Sequence, residues 1–456
     1  MKSLLNGIYV LVLCFAALGA VAQEEKSPIR SGPMLGYADL VEAVVWLQTW
    51  EKASVRIEFE TTGEDPRSET IETQPDTHFI AKFVLSKLKD SSTYTYKLFV
   101  DNQPVLFSYP LTFKTQTFWQ FRTDPPPVKF VLGSCFYVNH DRDDRPGTPY
   151  GGEFGIFEHI SKQKADFMLW MGDNIYFREP DFNAPQYMVE RYNVMRSYKE
   201  IQALWASMPH YAIWDDHDYG PNDSDRSYPF KKDTLELFKQ FWANPHYGMP
   251  DTPGIFGRMQ WADLDFFFLD DRYYRAPAKL KDPNKDYLGE KQLQWLKDSL
   301  SSSQARFKFI VIGNQMTNRL CAHESYYNYP GEYQNFMAWL DGADVNGVVV
   351  LSGDRHFTEL LKLDRRGNYP IFEFTSSPLT SGMINKMGDE KNNAMRVPGT
   401  LVHDLRNFGV IQVTGSKWKR VLTLQTYDST GKLRWEHSVE RKELERKYWI
   451  KKESKK

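Results

Sequence analysis

The chain has 456 residues, room for two or three domains of ordinary size, and 41% of them are hydrophobic and 15% aromatic. Its formal net charge of −2 excludes a strongly basic surface, so no stable nucleic-acid complex is expected. Three cysteines in so long a chain exclude a disulfide framework.

The N-terminus reads as a signal peptide over residues 1–22. Lys2 supplies the positive charge, Gly7 to Val21 is apolar but too short for a membrane span, and Ala20-Val21-Ala22 is a small-residue cleavage site. The expectation is a secreted or periplasmic protein with no further bilayer-spanning stretch. Lipid anchoring at Cys14 is the weaker alternative, because bulky Leu13 precedes it. After cleavage Cys135 and Cys321 remain and could pair.

Gln23 to Arg30 is polar and is expected to be disordered. Residues 31–123 read as an all-β, fibronectin-like sandwich. Ala43–Leu47, Ser54–Phe59, His78–Val84, Thr93–Val100 and Leu111–Phe113 are short strands set apart by turn residues. Nothing in them suggests catalysis. Asp124-Pro125-Pro126-Pro127 forms a stiff linker, 124–127.

A second domain spans 128–438, and the whole is an α+β chain. Buried strands are expected at Lys129–Gly133, Asp166–Met171, His210–Trp214, Phe307–Ile312 and Gly347–Leu351, with further strands at Phe256–Met259, Leu264–Leu269, Tyr369–Thr375, Phe408–Thr414, Arg420–Tyr427 and Leu433–Ser438. Helices are expected over Ala184–Tyr198, Ile201–Ser207, Lys232–Trp242 and Gly289–Leu300. Residues 439–456 are highly charged and read as a solvated tail.

Four apolar strands end in ligand-type residues: Cys135, Asp173, Asp216 with His217, and Asp354 with His356. Ligands of open α/β sheets bind at strand carboxyl ends. Each residue alone has a plainer use: Gly172-Asp173 as a turn, Cys135 as a small buried hydrophobe, Tyr176 as a packing ring. Four such endings in one domain make a constellation. Asp215, Asp216 and Asp218 directly after a strand repel one another unless a cation is near. Asp173 is placed as a bridge between two metal ions. Asp216, Asn222 and Asp354 add oxygens, and His217 and His356 add imidazole or a proton. Cys135 adds a thiolate and Tyr176 a phenolate, a pair ill-suited to magnesium and acceptable to a ferric ion. Arg272 and Arg275 either clamp phosphate oxygens or pair with nearby acids. His323 reads first as a surface-loop residue and second as a substrate-side one.

The segments Phe130–Cys135, Gly172–Tyr176, Trp214–Asp218, Leu269–Arg275 and Ser352–His356 resemble the PhoD-type alkaline phosphatases, in that family's order. The resemblance implies a calcineurin-like metallophosphoesterase fold, a β-sandwich flanked by helices, preceded by a β-module similar to residues 31–123. It implies hydrolysis of phosphomonoesters and phosphodiesters at a centre of ferric iron and calcium. Cys135, Asp173 and Tyr176 match the iron positions. Asp173 is shared with calcium, Asn222 and Asp354 match the calcium side, and Asp216 and His217 match a motif of less defined role. The chain departs from the family at Asn174, where an aromatic residue is common, and at Asp218 and Gly220–Asp223. It also departs in the stretch from Phe136 to Gly152, which is expected to reshape substrate access.

The expected function is a secreted, metal-dependent phosphoric ester hydrolase acting through metal-activated water. His217, His356 and Arg272 are the catalytic candidates, a phosphate ester is the partner, and the protein is monomeric. The alternatives are a non-catalytic protein that binds envelope polymer, or a hydrolase of another ester class.

Overall fold

The computed structural model describes residues 27–454 apart from 145, 321 and 322. The signal segment, Cys14 and Cys321 lie outside the described residues. Cys135 is a free, buried thiol.

The N-terminal part holds eight strands: β1 (Ile29–Ala38), β2 (Glu42–Thr49), β3 (Ser54–Glu60), β4 (Arg67–Glu72), β5 (Ile80–Ser86), β6 (Thr93–Val100), β7 (Gln103–Val105) and β8 (Thr112–Lys114). β1-β2-β5 form one antiparallel sheet and β4-β3-β6-β7, with β8 on β6, the other. Strand β6 alternates strictly, burying Tyr94, Tyr96, Leu98 and Val100, as a sheet with one wet face requires. These side chains share a core with Val45 and Leu47 of the first sheet. The expected disorder up to Arg30 is corrected, since β1 begins at Ile29. Its support is distant in sequence: the Ser31 hydroxyl donates to the Arg196 carbonyl (2.7 Å) and the Gly32 amide to Gln202 Oε1 (2.8 Å).

The rest of the chain builds two six-stranded sheets. The first runs β11 (His210–Ile213), β10 (Phe167–Met171), β9 (Val128–Gly133), β18 (Asn407–Thr414), β19 (Val421–Asp428), β20 (Leu433–Glu440). The second runs β12 (Gly257–Trp261), β13 (Leu264–Phe268), β14 (Phe307–Val311), β15 (Val348–Ser352), β17 (Ile371–Thr375), β16 (Glu359–Leu363). They face each other through aromatic contacts: Phe130 lies 5.2 Å from Phe266 and 5.5 Å from Phe309, and Phe374 lies 5.1 Å from Trp435. Helices α1 (Ile156–Ser161), α2 (Pro185–Arg196), α3 (Lys199–Ser207), α4 (Asp216–Tyr219), α5 (Lys231–Phe241), α6 (Glu290–Ser302), α7 (Pro330–Gly342) and α8 (Arg446–Glu453) complete the chain. No helix among the described residues is long and apolar enough to cross a membrane.

β9, β10 and β11 are mutually parallel, as are β13, β14, β15 and β17. Strands buried on both faces read as unbroken apolar runs, and β10 and β15 are buried at every position. Parallel strands put all their carboxyl ends on one edge, so the residues following β9, β10, β11 and β15 collect there. The β1-β2-β5 sheet is tied to this body: Trp46 Nε1 donates to the Gln240 carbonyl (2.9 Å) and Gln48 Nε2 to Asn193 Oδ1 (2.7 Å). The tail is also corrected. β20 continues to Glu440, and Leu444 is buried with its carbonyl accepting from the Gly347 amide (2.9 Å). Strand β16 was hidden from sequence because its buried Glu359 looks like a surface residue. It is neutralised by Arg396, 2.6 Å away.

Candidate metal centre

The edge is assembled by tight backbone. Gly172 has φ +91°, and a Cβ there would lie 2.6 Å from the Asp215 Cβ, so only glycine lets the β10 and β11 ends approach. A Cβ on Gly353 would lie 2.6 Å from Ser134 Cβ and 2.7 Å from the Met171 carbonyl. Cys135, Asp173, Asp354 and His356 all have left-handed backbones, with φ of 61°, 53°, 64° and 55°. Such a conformation costs roughly 1–2 kcal/mol per residue. Strain concentrated on the residues that converge at one point is a mark of a functional site.

Cys135, Asp173 and His356 bring one ligand atom each within 4.8 Å of one another, and so do Asp173, Asp216 and His217. Asp173 belongs to both groups. The Tyr176 hydroxyl donates to Asp173 Oδ2 (3.1 Å) and lies 3.5 Å from His356 Nε2, so it joins the first group. A third group, Asp216, Asp223 and Glu324, adjoins the second through Asp216. The groups open into a cavity of about 770 Å³ lined by Asp173, Asp216, His217, Asn222, Asp354 and His356, with Arg275, Lys285 and Arg355 on its wall. Asn222 is exposed on that wall.

The electrostatics fit cations. Burial pushes the Cys135 thiol up to about 11, against the pull of the Ser134 and Ser377 hydroxyls. Burial, then Cys135, Asp216, Asp218 and Asp354, raise Asp173 well above the carboxylate range. Tyr176 is raised by burial and Asp173. Asp354 rises to about 7 through burial and the repulsion of Asp216 and Glu324, with Arg355 opposing. Burial would raise Asp216 too, but His217, Arg272 and the Asp223 amide hold it below its ordinary value. His217 Nδ1 is buried with no hydrogen-bond partner. A donor set that is costly to ionise and carries an orphaned imidazole nitrogen is what bound cations would relieve.

This has a sign that can be measured. A carboxyl raised in the fold holds its proton there while the unfolded chain has lost it, so stability falls as pH rises between the two values. With metal removed, the melting temperature is expected to fall from about pH 4 to about pH 7, the window set by Asp354. Added metal should flatten the slope. A chelated protein with no such decline would contradict the electrostatic reading.

Several expectations change. The three acids after β11 separate. Asp215 binds Arg272, and Asn314 Nδ2 donates to its Oδ2 (3.0 Å); Asp218 accepts from the amides of Asp215 and Asn174, both 3.0 Å. Only Asp216 faces the cavity. Asn174, where the chain departs from the family, is buried away from the cavity: its Nδ2 donates to the Ile213 carbonyl (2.7 Å) and to Asp218 Oδ1 (3.0 Å), bracing α4. Arg272 is fully buried and held by Asp215, Glu324 (2.6 Å) and Asn314 (3.2 Å), so it does not reach the cavity as a phosphate clamp. Arg275 does line the cavity, with Glu324 at 2.5 Å. His323 is exposed on its loop, as expected, and that loop also borders the cavity.

Sequence reasoning missed Glu324 and Tyr150, which follow no strand and carry no periodic signal. It also missed Ser377, whose hydroxyl donates to Cys135 Sγ (3.1 Å). The Phe136–Gly152 stretch does reach the site: Tyr150 Oη lies 3.1 Å from His356 Nδ1 and lines both the main cavity and a second one of about 600 Å³ beside it.

The sequence profile of the PhoD-like phosphatase family matches residues 130–421, and that of a domain of unknown function, DUF7800, matches residues 26–118. Alkaline phosphatase D of Bacillus subtilis (strain 168) is 24% identical over 365 residues, 67% of this chain; the match spans 60% of that relative's length, under two thirds of it. A solved structure of PhoD superposes with TM-score 0.73 at 18% identity, covering 91% of this chain and 92% of that one. A purple acid phosphatase from yellow lupin (Lupinus luteus) seeds superposes with TM-score 0.59 at 12% identity, covering 90% and 74%. Both structures bear on the fold alone. With its profile match running through β9, β10, β11 and β15, the strands that carry the converging side chains, the chain belongs to the PhoD-like phosphatase family.

Proposed function

We propose that this chain hydrolyses phosphate esters at a metal centre bridged by Asp173. The observation that carries the reading is the sharing of Asp173 by two three-residue donor groups on one cavity floor. Cys135, Tyr176 and His356 would complete one site with Asp173, and Asp216, Asn222 and Asp354 would hold the other, with His217 beside it. Thiolate with phenolate favours ferric iron, and the oxygen-rich side favours calcium, as the family resemblance implies. Such ions supply Lewis acidity and a water acidified to near neutrality.

The chain's own groups do the rest. His356 Nδ1 lies 2.5 Å from the Gly382 carbonyl, which accepts its proton and leaves Nε2 a lone pair turned toward Tyr176. That tautomer suits a ligand and not an acid, so delivery of a proton to the leaving oxygen falls to His217. Arg275, Lys285 and Arg355 give the wall a positive face for the phosphate. The same reading takes residues 31–123 as a fibronectin-like module, 124–127 as its linker and 128–438 as the catalytic domain, in a secreted or periplasmic monomer.

The test is metal analysis of native protein with activity on one monoester and one diester. The expected protein contains iron and calcium, absorbs visible light through phenolate-to-iron charge transfer, and loses activity on chelation. In the same assay His217→Gln should slow esters of poor leaving groups more than nitrophenyl esters. A colourless, fully active zinc or magnesium protein would reject iron. Activity on carboxylate esters alone would reject the reaction class.

A further inference from the structure

The opposite edge of the second sheet carries a separate polar cavity of about 350 Å³. It lies at the amino ends of β14 and β15, whereas the metal centre lies at their carboxyl ends. Five residues of strand separate the two, roughly 17 Å. Its wall includes Arg306, Lys308, Arg441 and Lys447, against the acids Asp344 and Glu445.

The cations here are poorly answered. Glu445 already binds Arg441 Nη2, and Asp344 accepts from Asn346 Nδ2 at 3.3 Å. Arg441 Nε and Nη1 are both buried and have no hydrogen-bond partner. A buried, unpartnered guanidinium N–H is costly, because its hydration is lost and nothing replaces it. Arg306 converges on the same place. Its guanidinium lies 4.6 Å from the centre of the Trp418 ring, and that of Arg441 lies 5.5 Å from the same ring. Two like charges packed against one indole repel each other, and Arg306 is lowered by burial and by Arg441. Trp418 itself is 68% exposed at the turn between β18 and β19, with Lys417 Nζ 5.5 Å from its ring. Below them Lys308 Nζ donates to the Ala305 (2.7 Å) and Asn346 (3.2 Å) carbonyls, which fixes the floor.

We propose that the cavity lined by Arg306 and Arg441, both packed against the Trp418 ring, is a binding site for a phosphate-class oxyanion. A tetrahedral anion there would accept from Arg306 and would lie close enough to both guanidinium charges to offset their mutual repulsion. The site is independent of the metal centre and of the reaction assigned to it. The same chemistry is offered by free inorganic phosphate and by a phosphate headgroup at a lipid surface, toward which an exposed tryptophan among cations is also suited.

Calorimetric titration of the full, metal-loaded protein with inorganic phosphate tests the first source. Sedimentation with phosphatidic-acid vesicles, against phosphatidylcholine-only vesicles, tests the second. In one arm or the other, Arg306→Ala should weaken binding about tenfold or more, the loss expected of a charge-assisted contact. Arg306→Lys should restore part of it. Hydrolysis of a small soluble ester should be unchanged, which also reports that the variant is folded. Should Arg306→Ala impair folding, Arg306→Gln, which keeps most of the side chain and removes the charge, takes its place with the same expected loss. Phosphate binding that depends on Arg306 assigns the free anion, and vesicle binding alone that depends on it assigns the headgroup. No binding in either arm, or binding indifferent to Arg306, overturns the site.

Discussion

Asp173→Ala is expected to reduce hydrolysis of a chromogenic phosphodiester by more than about a thousandfold while the protein stays folded, the scale of losing the main electrostatic support of a transition state. Asp173 stands where the two donor groups meet, so its loss disables both sites at once. It is left-handed in φ and raised far from its ordinary ionisation first by burial and then by four acidic neighbours. None of this helps the fold. In metal-free protein, Asp173→Asn should therefore melt higher than the parent, because it keeps the shape and folds without burying a charge or taking up a proton. Function lost with stability gained is the signature of a residue kept for chemistry. Turnover like the parent's in Asp173→Ala would sink the mechanism. A lower melting point for metal-free Asp173→Asn would show that the carboxylate is structural.

The strand ends were legible because their chemistry is local. Gly172-Asp173 and Gly353-Asp354 each follow an unbroken apolar run, and both faces of β10 and β15 are covered, so the runs could hardly be anything but buried strands. Parallel pairing then gathers the ends on one edge. What was not legible depends on partners remote in sequence. Asp215, Asp216 and Asp218 look equivalent in a row. Their fates are set by Arg272 and Asn314 for Asp215 and by the amides of Asp215 and Asn174 for Asp218. Glu324 follows no strand, yet it pairs with two arginines and lies on the cavity wall. Likewise β1 begins in a segment that reads as a polar lead, since the residues that hold it lie on α2 and α3.

Arg272 is where the structure most changes the reading, and it yields the second large effect. Arg272→Ala is expected to destabilise the protein by about 3–5 kcal/mol, the usual result of removing one partner of a buried ion pair. Nε of Arg272 donates to Asp215 Oδ1 (2.7 Å), Nη2 to Glu324 (2.6 Å) and Asn314 (3.2 Å), and Nη1 to the Ser224 carbonyl (3.2 Å). Without it, the fully buried Asp215 and the neighbouring Glu324 face each other and Asp216 with no compensating charge nearby except Arg275. Asp215 would then take up a proton, and Asp216, which Arg272 helps to keep ionised from 3.8 Å, would lose acidity. Arg272→Lys keeps the charge but not the planar fork, so it should recover only part of the loss. In a chain of several sheets unfolding need not be two-state, so melting temperature and soluble yield are the proper readouts. They also separate the two roles this arginine was given. A phosphate clamp predicts normal melting and a raised KM for Arg272→Ala. A buried brace predicts lowered melting, with KM near normal in whatever fraction remains folded, because the guanidinium never touches the substrate. Normal melting with raised KM would return Arg272 to the cavity wall.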